Sequence, residues 1–279
     1  MDNLFPVLMI PIKASPGFDT NGKPFPGFDD TDKGDYSCST GYEQHPLRKR
    51  VIGLTPPQHT GFAVAIDGPV GVGKSTTARK VANRLGMTYI DTGAMYRAVA
   101  LYNARQGVDA RNEAAITASL PYINITLHRQ QIFLNGEDIS KDIRTQDISE
   151  YASVAASYAP VRNKLVAMQK NLAKTGDVVM DGRDIASRVL PWAQVKIYLD
   201  ANIDIRAQRR AKDLAAKGQP VDFETIRNEV MFRDNRDKTR AVSPLIQTDD
   251  AIYVDTGNMT IDEVVEHIVT SHIQPVRRP

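Results

Sequence analysis

Residues Gly68 to Ser75 read GPVGVGKS, the strict phosphate-loop pattern Gly-x-x-x-x-Gly-Lys-Ser. The pattern constrains the fold because it works only between a strand and a helix, and both flanks are present. FAVAID (Phe62 to Asp67) is short, apolar and β-branched enough to be a buried strand. STTARKVANRL has helical period, with Ala78, Val81, Ala82 and Leu85 on one face. Glycines at 68, 71 and 73 let the backbone curl so that successive N–H groups point inward, at the positive end of a helix. The run Gly68, Pro69, Val70, Gly71, Val72, Gly73, Lys74, Ser75, Thr76 is therefore expected to cradle the phosphates of a nucleoside triphosphate. Lys74 can reach the β- and γ-phosphates, and the Ser75 hydroxyl can hold Mg²⁺.

Downstream of the loop, strands and helices alternate. The sequence predicts a second strand at Met87 to Asp91, a helix through TGAMYRAVALYNARQ, and buried strands at Asp177 to Asp181 and Val195 to Asp200. INITLHRQQIFLNGEDIS alternates apolar and polar residues with a break at Arg129 to Gln131, the pattern of a hairpin or small antiparallel sheet. Residues 145–174 read as helical with an interruption at Pro160, and further helices are expected at about 202–217 and 222–238. AIYVDT is the last strand and IDEVVEHIVTSHI an amphipathic closing helix. This order argues for an α/β fold, a parallel sheet covered on both faces, with ligands collecting at the carboxyl ends of the strands.

A chain of 279 residues suits one such domain with an appendage. Residues 1–60 are rich in Gly, Pro, Asp and Lys and lack periodicity, so an N-terminal extension, disordered or loosely packed, is expected there. Its basic cluster Arg48, Lys49, Arg50 reads as a solvated linker. The single cysteine, Cys38, fits a reducing cytoplasm. A net charge of +2 gives no push toward nucleic acid, and no apolar run is long enough to span a membrane. The five histidines are scattered without zinc-site spacing.

Three polar clusters follow strand ends or close a helix: DTGAMYR (Asp91 to Arg97), DGRD (Asp181 to Asp184) and RDNRDKTR (Arg233 to Arg240). Each alone could be a solvated face or a helix cap. Beside a phosphate loop, Arg97, Arg183, Arg233, Arg236 and Arg240 form a supply of planar cations that bind phosphate bidentately and neutralise a transferring phosphoryl group.

At these strings the chain resembles a known family. IDGPVGVGKST, DTGAMYRAVA, NGEDIS with IRTQ, SVAASYAPVR, DGRDI, VKIYLDA and RDNRDKTRAVSPL are similar to the bacterial cytidylate kinases, of the nucleoside monophosphate kinase family, from Phe62 to Ile273. The resemblance implies a parallel-sheet P-loop kinase fold over 61–275, with a monophosphate-binding insertion at about 92–162 and a lid at about 205–240. It implies transfer of the γ-phosphoryl group of ATP, with Mg²⁺, to CMP or dCMP by a monomer. By position, Thr92 contacts the acceptor sugar or phosphate and Arg97 the acceptor phosphate. Ser153 and Arg162 read the cytosine edge, while Arg183 and Asp184 bind phosphate and ribose. Arg233, Asp237 and Arg240 meet ribose, base and phosphates as the lid closes, and Arg209 is a lid arginine facing the triphosphate. Lys74, Arg97, Arg183, Arg233 and Arg240 are the expected catalytic cations.

Other readings compete. A uridylate or shikimate kinase would share the fold, and Arg162 alone could be a surface helix charge after Pro160. A GTP switch would carry an Asn-Lys-x-Asp guanine motif, which is absent. A mechanical ATPase would carry Asp-Glu where this chain has VVMDG followed by Arg.

Overall fold

The computed structural model describes residues 61–277 apart from 129, 175, 217 and 219–221. The expected extension over residues 1–60, with its basic cluster, lies outside the described residues. Five strands, β1 (Ala63–Asp67), β2 (Thr88–Asp91), β6 (Val178–Gly182), β7 (Val195–Asp200) and β8 (Ile252–Asp255), form one sheet in the order β2-β6-β1-β7-β8. Every pairing in it is parallel. Parallel neighbours require crossovers, and helices supply them.

The central strand explains why the sheet needs cover on both sides. All five residues of AVAID are buried. Val64 and Ile66 pack on one face with Val81 and Ala82 of α1 (Lys74–Leu85) and with Val264 and Val265 of α8 (Ile261–His267). Ala63 and Ala65 face the other way, against Met180, Ile185, Val189 and Leu190. Side-chain alternation with period two thus loads both faces with apolar surface, which only a two-sided covering can remove from water.

A second core belongs to the insertion. Helix α2 (Thr92–Arg105) presents Met95, Ala98 and Val99 to α4 (Gln146–Ala155), α5 (Ala159–Leu172) and the short α3 (Glu113–Ser119). Strands β3 (Ile125–His128), β4 (Gln131–Leu134) and β5 (Glu137–Asp138) form the antiparallel sheet, with Ile125, Ile132 and Leu134 facing the same core. The break between α4 and α5 falls at 156–158, and Pro160 sits in the first turn of α5. A proline lacks the N–H that a helix interior needs but not one a first turn uses, so Pro160 starts a helix and does not interrupt one. The final two helices before β8, α6 (Ile203–Ala215) and α7 (Phe223–Thr239), pack on each other through Ala207, Leu214, Ile226 and Val230. The closing segment is α-helical to His267 and π-helical over Ile268–Ile273. Among the described residues no helix is long and apolar enough to cross a membrane.

Candidate active site

The phosphate loop leaves β1 and enters α1 at the carboxyl edge of the sheet. Gly68 has φ +148°, and a β-carbon there would lie 2.1 Å from the Leu199 carbonyl oxygen of β7. Only glycine allows this approach. Gly73 (φ 87°, ψ 13°) precedes α1, and no side chain caps that helix. Its first-turn N–H groups and dipole are thereby left to an anion. Lys74 is buried and its Nζ donates to the Pro69 carbonyl at 2.5 Å. Burial, and next the Arg183 guanidinium, push the Lys74 ammonium well below its usual range.

Beside the loop, Ser75 Oγ donates to Asp181 Oδ2 at 2.8 Å, and the Tyr89 hydroxyl donates to Asp181 Oδ1 at 2.8 Å. Thr92 Oγ1 donates to the Asp181 carbonyl at 2.6 Å, so the end of β6 fixes the start of α2. Burial, and then Asp91, raise the Asp181 carboxyl. A divalent cation would relieve that strain on the charged form. The donor set is one hydroxyl and one carboxylate, and no cluster of three His, Cys, Asp or Glu side chains stands among the described residues. Such a set suits Mg²⁺, which takes its other ligands from phosphate oxygens and water.

A cavity of about 590 Å³ runs from the loop to the insertion. It brings together Lys74, Ser75, Thr76, Thr92, Arg97, Ser153, Arg162, Arg183, Asp184, Arg209, Arg233, Asp237 and Arg240, with Val70, Gly71 and Gly73 of the loop. Gly68, Pro69 and Val72 do not line it. Val72 packs into the sheet core, while Pro69 acts through its carbonyl. The cations come from separate elements: Arg97 from α2, Arg183 from the turn after β6, Arg233 and Arg240 from α7 and its end. Burial lowers Arg233 to about 10, with Arg183 as the next cause. Burial and neighbouring cations likewise lower Arg97 and Arg240. Asp237 is the main counter-charge. It accepts from Arg183 Nε at 2.8 Å, and although burial opposes ionisation, Arg183, Arg233 and Arg240 hold its carboxyl below the usual range. Positive charge concentrated this way is matched to phosphate groups.

The far end of the cavity has a different chemistry. Arg162 is 2 % exposed, not a surface charge. It donates to Asp184 Oδ2 and to the Ala156 carbonyl (3.0 Å), and its guanidinium lies 5.3 Å from the Tyr96 ring centroid. Ser153 Oγ, Arg162 Nε, the Tyr96 hydroxyl and Arg240 Nη2 are buried there without a hydrogen-bond partner. Buried polar atoms are nearly always paired, so four unpaired ones at this end of the cavity point to a polar ligand.

Arg209 stands apart from this cluster. It donates to Thr256 Oγ1 (3.0 Å) and to the Thr256 carbonyl (2.6 Å), which ties α6 to the loop after β8. Arg210, one residue on, is the α6 arginine that crosses to the insertion and donates to Gln146 Oε1. Sequence reasoning missed Arg210 and Tyr96 as site residues, and it placed Asp181 in the DGRD cluster without giving it a role. Tyr96 follows Thr92 by one helical turn, a spacing that puts both on one face. Asp181 closes the apolar run DVVMD, which was the available signal for it.

Comparison with known proteins agrees with this geometry. Residues 64–274 match the family model described as cytidylate kinase. A cytidylate kinase of Bacillus licheniformis is 46% identical over 213 residues, covering 75% of this chain and 94% of its own. One from Shouchella clausii is 46% identical over 213 residues (75% and 95%), and one from Thermosipho melanesiensis 46% over 206 residues (74% and 94%).

Proposed function

This chain belongs to the cytidylate kinase family, and we propose that it transfers the γ-phosphoryl group of ATP to CMP or dCMP, giving ADP and CDP or dCDP. The observation that carries this reading is the set of unpaired buried polar atoms around the Arg162–Asp184 pair, in one cavity with the phosphate loop.

The catalytic unit is residues 61–275, with the insertion at about 92–162 forming the acceptor side and the region at about 205–240 acting as lid. The loop and the α1 N-terminus hold the triphosphate. Ser75 and Asp181 would hold Mg²⁺, which supplies charge neutralisation on the phosphate oxygens when bound. Arg97, Arg183, Arg233 and Arg240 grip the acceptor phosphate and face the transferring group. That phosphate is already an anion, so no general base is required. Catalysis consists of holding an acceptor oxygen in line with the γ-phosphorus and neutralising the charge that shifts toward the leaving oxygens.

Ser153 and Arg162 supply donors and acceptors for the cytosine edge, with Asp184 holding Arg162 and facing the ribose, and Tyr96 as the wall behind Arg162. A wrong base would leave a buried polar group unpaired, at a cost of about 1–3 kcal/mol. Asp237 and Thr92 meet the sugar and phosphate. Arg209 braces the donor side of the cavity through Thr256. The enzyme acts as a cytoplasmic monomer on small molecules, without nucleic acid or membrane. Following ³¹P resonances in a mixture of the chain, ATP, Mg²⁺ and CMP tests the reaction. Appearance of CDP with ADP supports it, and ADP with free phosphate alone contradicts it.

A further inference from the structure

One residue of the phosphate loop is gripped from the lid. The Val70 N–H donates to Asp234 Oδ1 at 3.2 Å, and the Val70 carbonyl accepts from Arg206 Nη1 at 3.1 Å. Its side chain packs on the apolar cluster between α6 and α7. Arg206 and Asp234 are both 6% exposed and form an ion pair with each other. Arg206 also donates through Nε to the Ala201 carbonyl at 2.9 Å. The contact between loop and α6 is close at the next residue too, since a β-carbon on Gly71 would lie 3.0 Å from the Arg206 carbonyl. The first turn of the loop is therefore positioned by the base of the lid helices.

Helix α7 carries the other end of the connection. Asp234 lies one residue after Arg233 and three before Asp237, about 4.5 Å along the axis from the latter. Asp237 holds Arg183, and Arg233 Nη1 donates to Ser149 Oγ of α4 at 3.0 Å. One rigid helix thus touches the donor loop with Asp234 and the acceptor cluster with Arg233 and Asp237. A shift of Val70 on binding a triphosphate would move α7 at Asp234, and the rigid helix carries that movement to Arg233 beside it and to Asp237 one turn on.

We propose that Arg206 and Asp234 are positioning residues that couple the two nucleotide sites, so that a bound triphosphate sets α7 for the acceptor. The proposal rests on the donor and acceptor reading above. Neither residue lines the cavity. Their action runs through Val70.

Calorimetric titration of CMP into the full chain, with and without a saturating non-hydrolysable ATP analogue, tests it. The wild-type chain is expected to bind CMP roughly fivefold or more tightly when the analogue is present, the lower end of ordinary site-to-site coupling. Asp234→Asn can accept from only one of its two partners, Val70 N–H or Arg206, and its ratio of the two CMP affinities should fall toward one. So should that of the paired variant Arg206→Met with Asp234→Leu. The paired variant removes both buried charges together and so strands neither of them. A merely structural pair would lower the melting temperature and weaken both nucleotides alike. Retention of the wild-type ratio by either variant overturns the proposal, as does a wild-type ratio of one. A wild-type chain that fails to bind CMP overturns the assigned reaction itself, and the coupling with it.

Discussion

The guanidinium of Arg162 donates to the carboxylate of Asp184 from an adjacent element, and both side chains are almost wholly withdrawn from water. A pair buried this way cannot be broken on one side without leaving the other charge stranded, at a cost of about 3–5 kcal/mol. Arg162→Ala therefore mixes lost stability with lost recognition. Arg162→Lys keeps a cation opposite Asp184 but loses the planar fork. We expect its KM for CMP to rise roughly tenfold, the equivalent of one lost charge-assisted hydrogen bond, while KM for ATP stays put. The preference for CMP over UMP should shrink as well. Steady-state kinetics with the two acceptors side by side decide this, and an unchanged ratio removes Arg162 from base recognition.

Lys74 is a buried cation pressed by Arg183 and Arg233. Lys74→Ala relieves that repulsion, so the fold should survive with an unchanged or higher melting temperature. Turnover should fall by a factor on the order of 10²–10³, the usual loss when one preorganised donor to a reacting group is removed. A variant with wild-type kcat would show that this lysine does not face the transferring phosphoryl group.

The Ser75–Asp181 hydrogen bond places a hydroxyl and a carboxylate together beside the loop. Chelating divalent cations with EDTA should abolish activity, and excess Mg²⁺ should restore it. In Asp181→Asn the Mg²⁺ concentration for half-maximal rate should rise, because the amide oxygen is a weaker partner for a hard cation. A magnesium titration that overlays the wild type would place the metal elsewhere.

Asp67, at the end of β1, accepts the N–H groups of Ile185 (2.9 Å) and Ala186 (2.7 Å) and so pins the π-helical turn Ile185–Val189 under the site. Burial pushes its carboxyl up to about 7 against the pull of those two donors. The folded chain then holds a proton that the unfolded chain has released by about pH 4. This contribution to stability is full below about pH 4 and is lost as pH rises through about 7. The melting temperature of the wild type, measured relative to Asp67→Asn, should therefore fall between pH 4 and 7. A difference that does not change with pH contradicts it.

Much of this was legible in the sequence for local reasons. The loop, its strand and its helix are contiguous, so spacing alone located Lys74 and Ser75. Apolar runs such as AVAID and VKIYLD announced buried parallel strands. Contacts between distant segments were not legible in pattern. Nothing in the spacing of Arg162 tells that Asp184 and Tyr96 close around it, and as an isolated residue after Pro160 it passes for a surface charge. The neighbouring arginines of α6 show the same limit. One helical step of 100° sends Arg209 to the β8 loop and Arg210 to the insertion, and the string RR does not say which is which. Asp67 and Asp234 were invisible as site supports because each bonds backbone groups across more than 100 residues.

The central claim is acceptor choice, and the most direct measurement is kcat/KM from ADP release with CMP, dCMP, UMP, AMP and shikimate under one set of conditions. CMP and dCMP are expected to lead UMP by at least roughly fivefold, since a buried polar group left unpaired by the wrong base costs about 1–3 kcal/mol. AMP and shikimate should be poorer still. A chain that turns over UMP or shikimate as well as CMP would contradict the account.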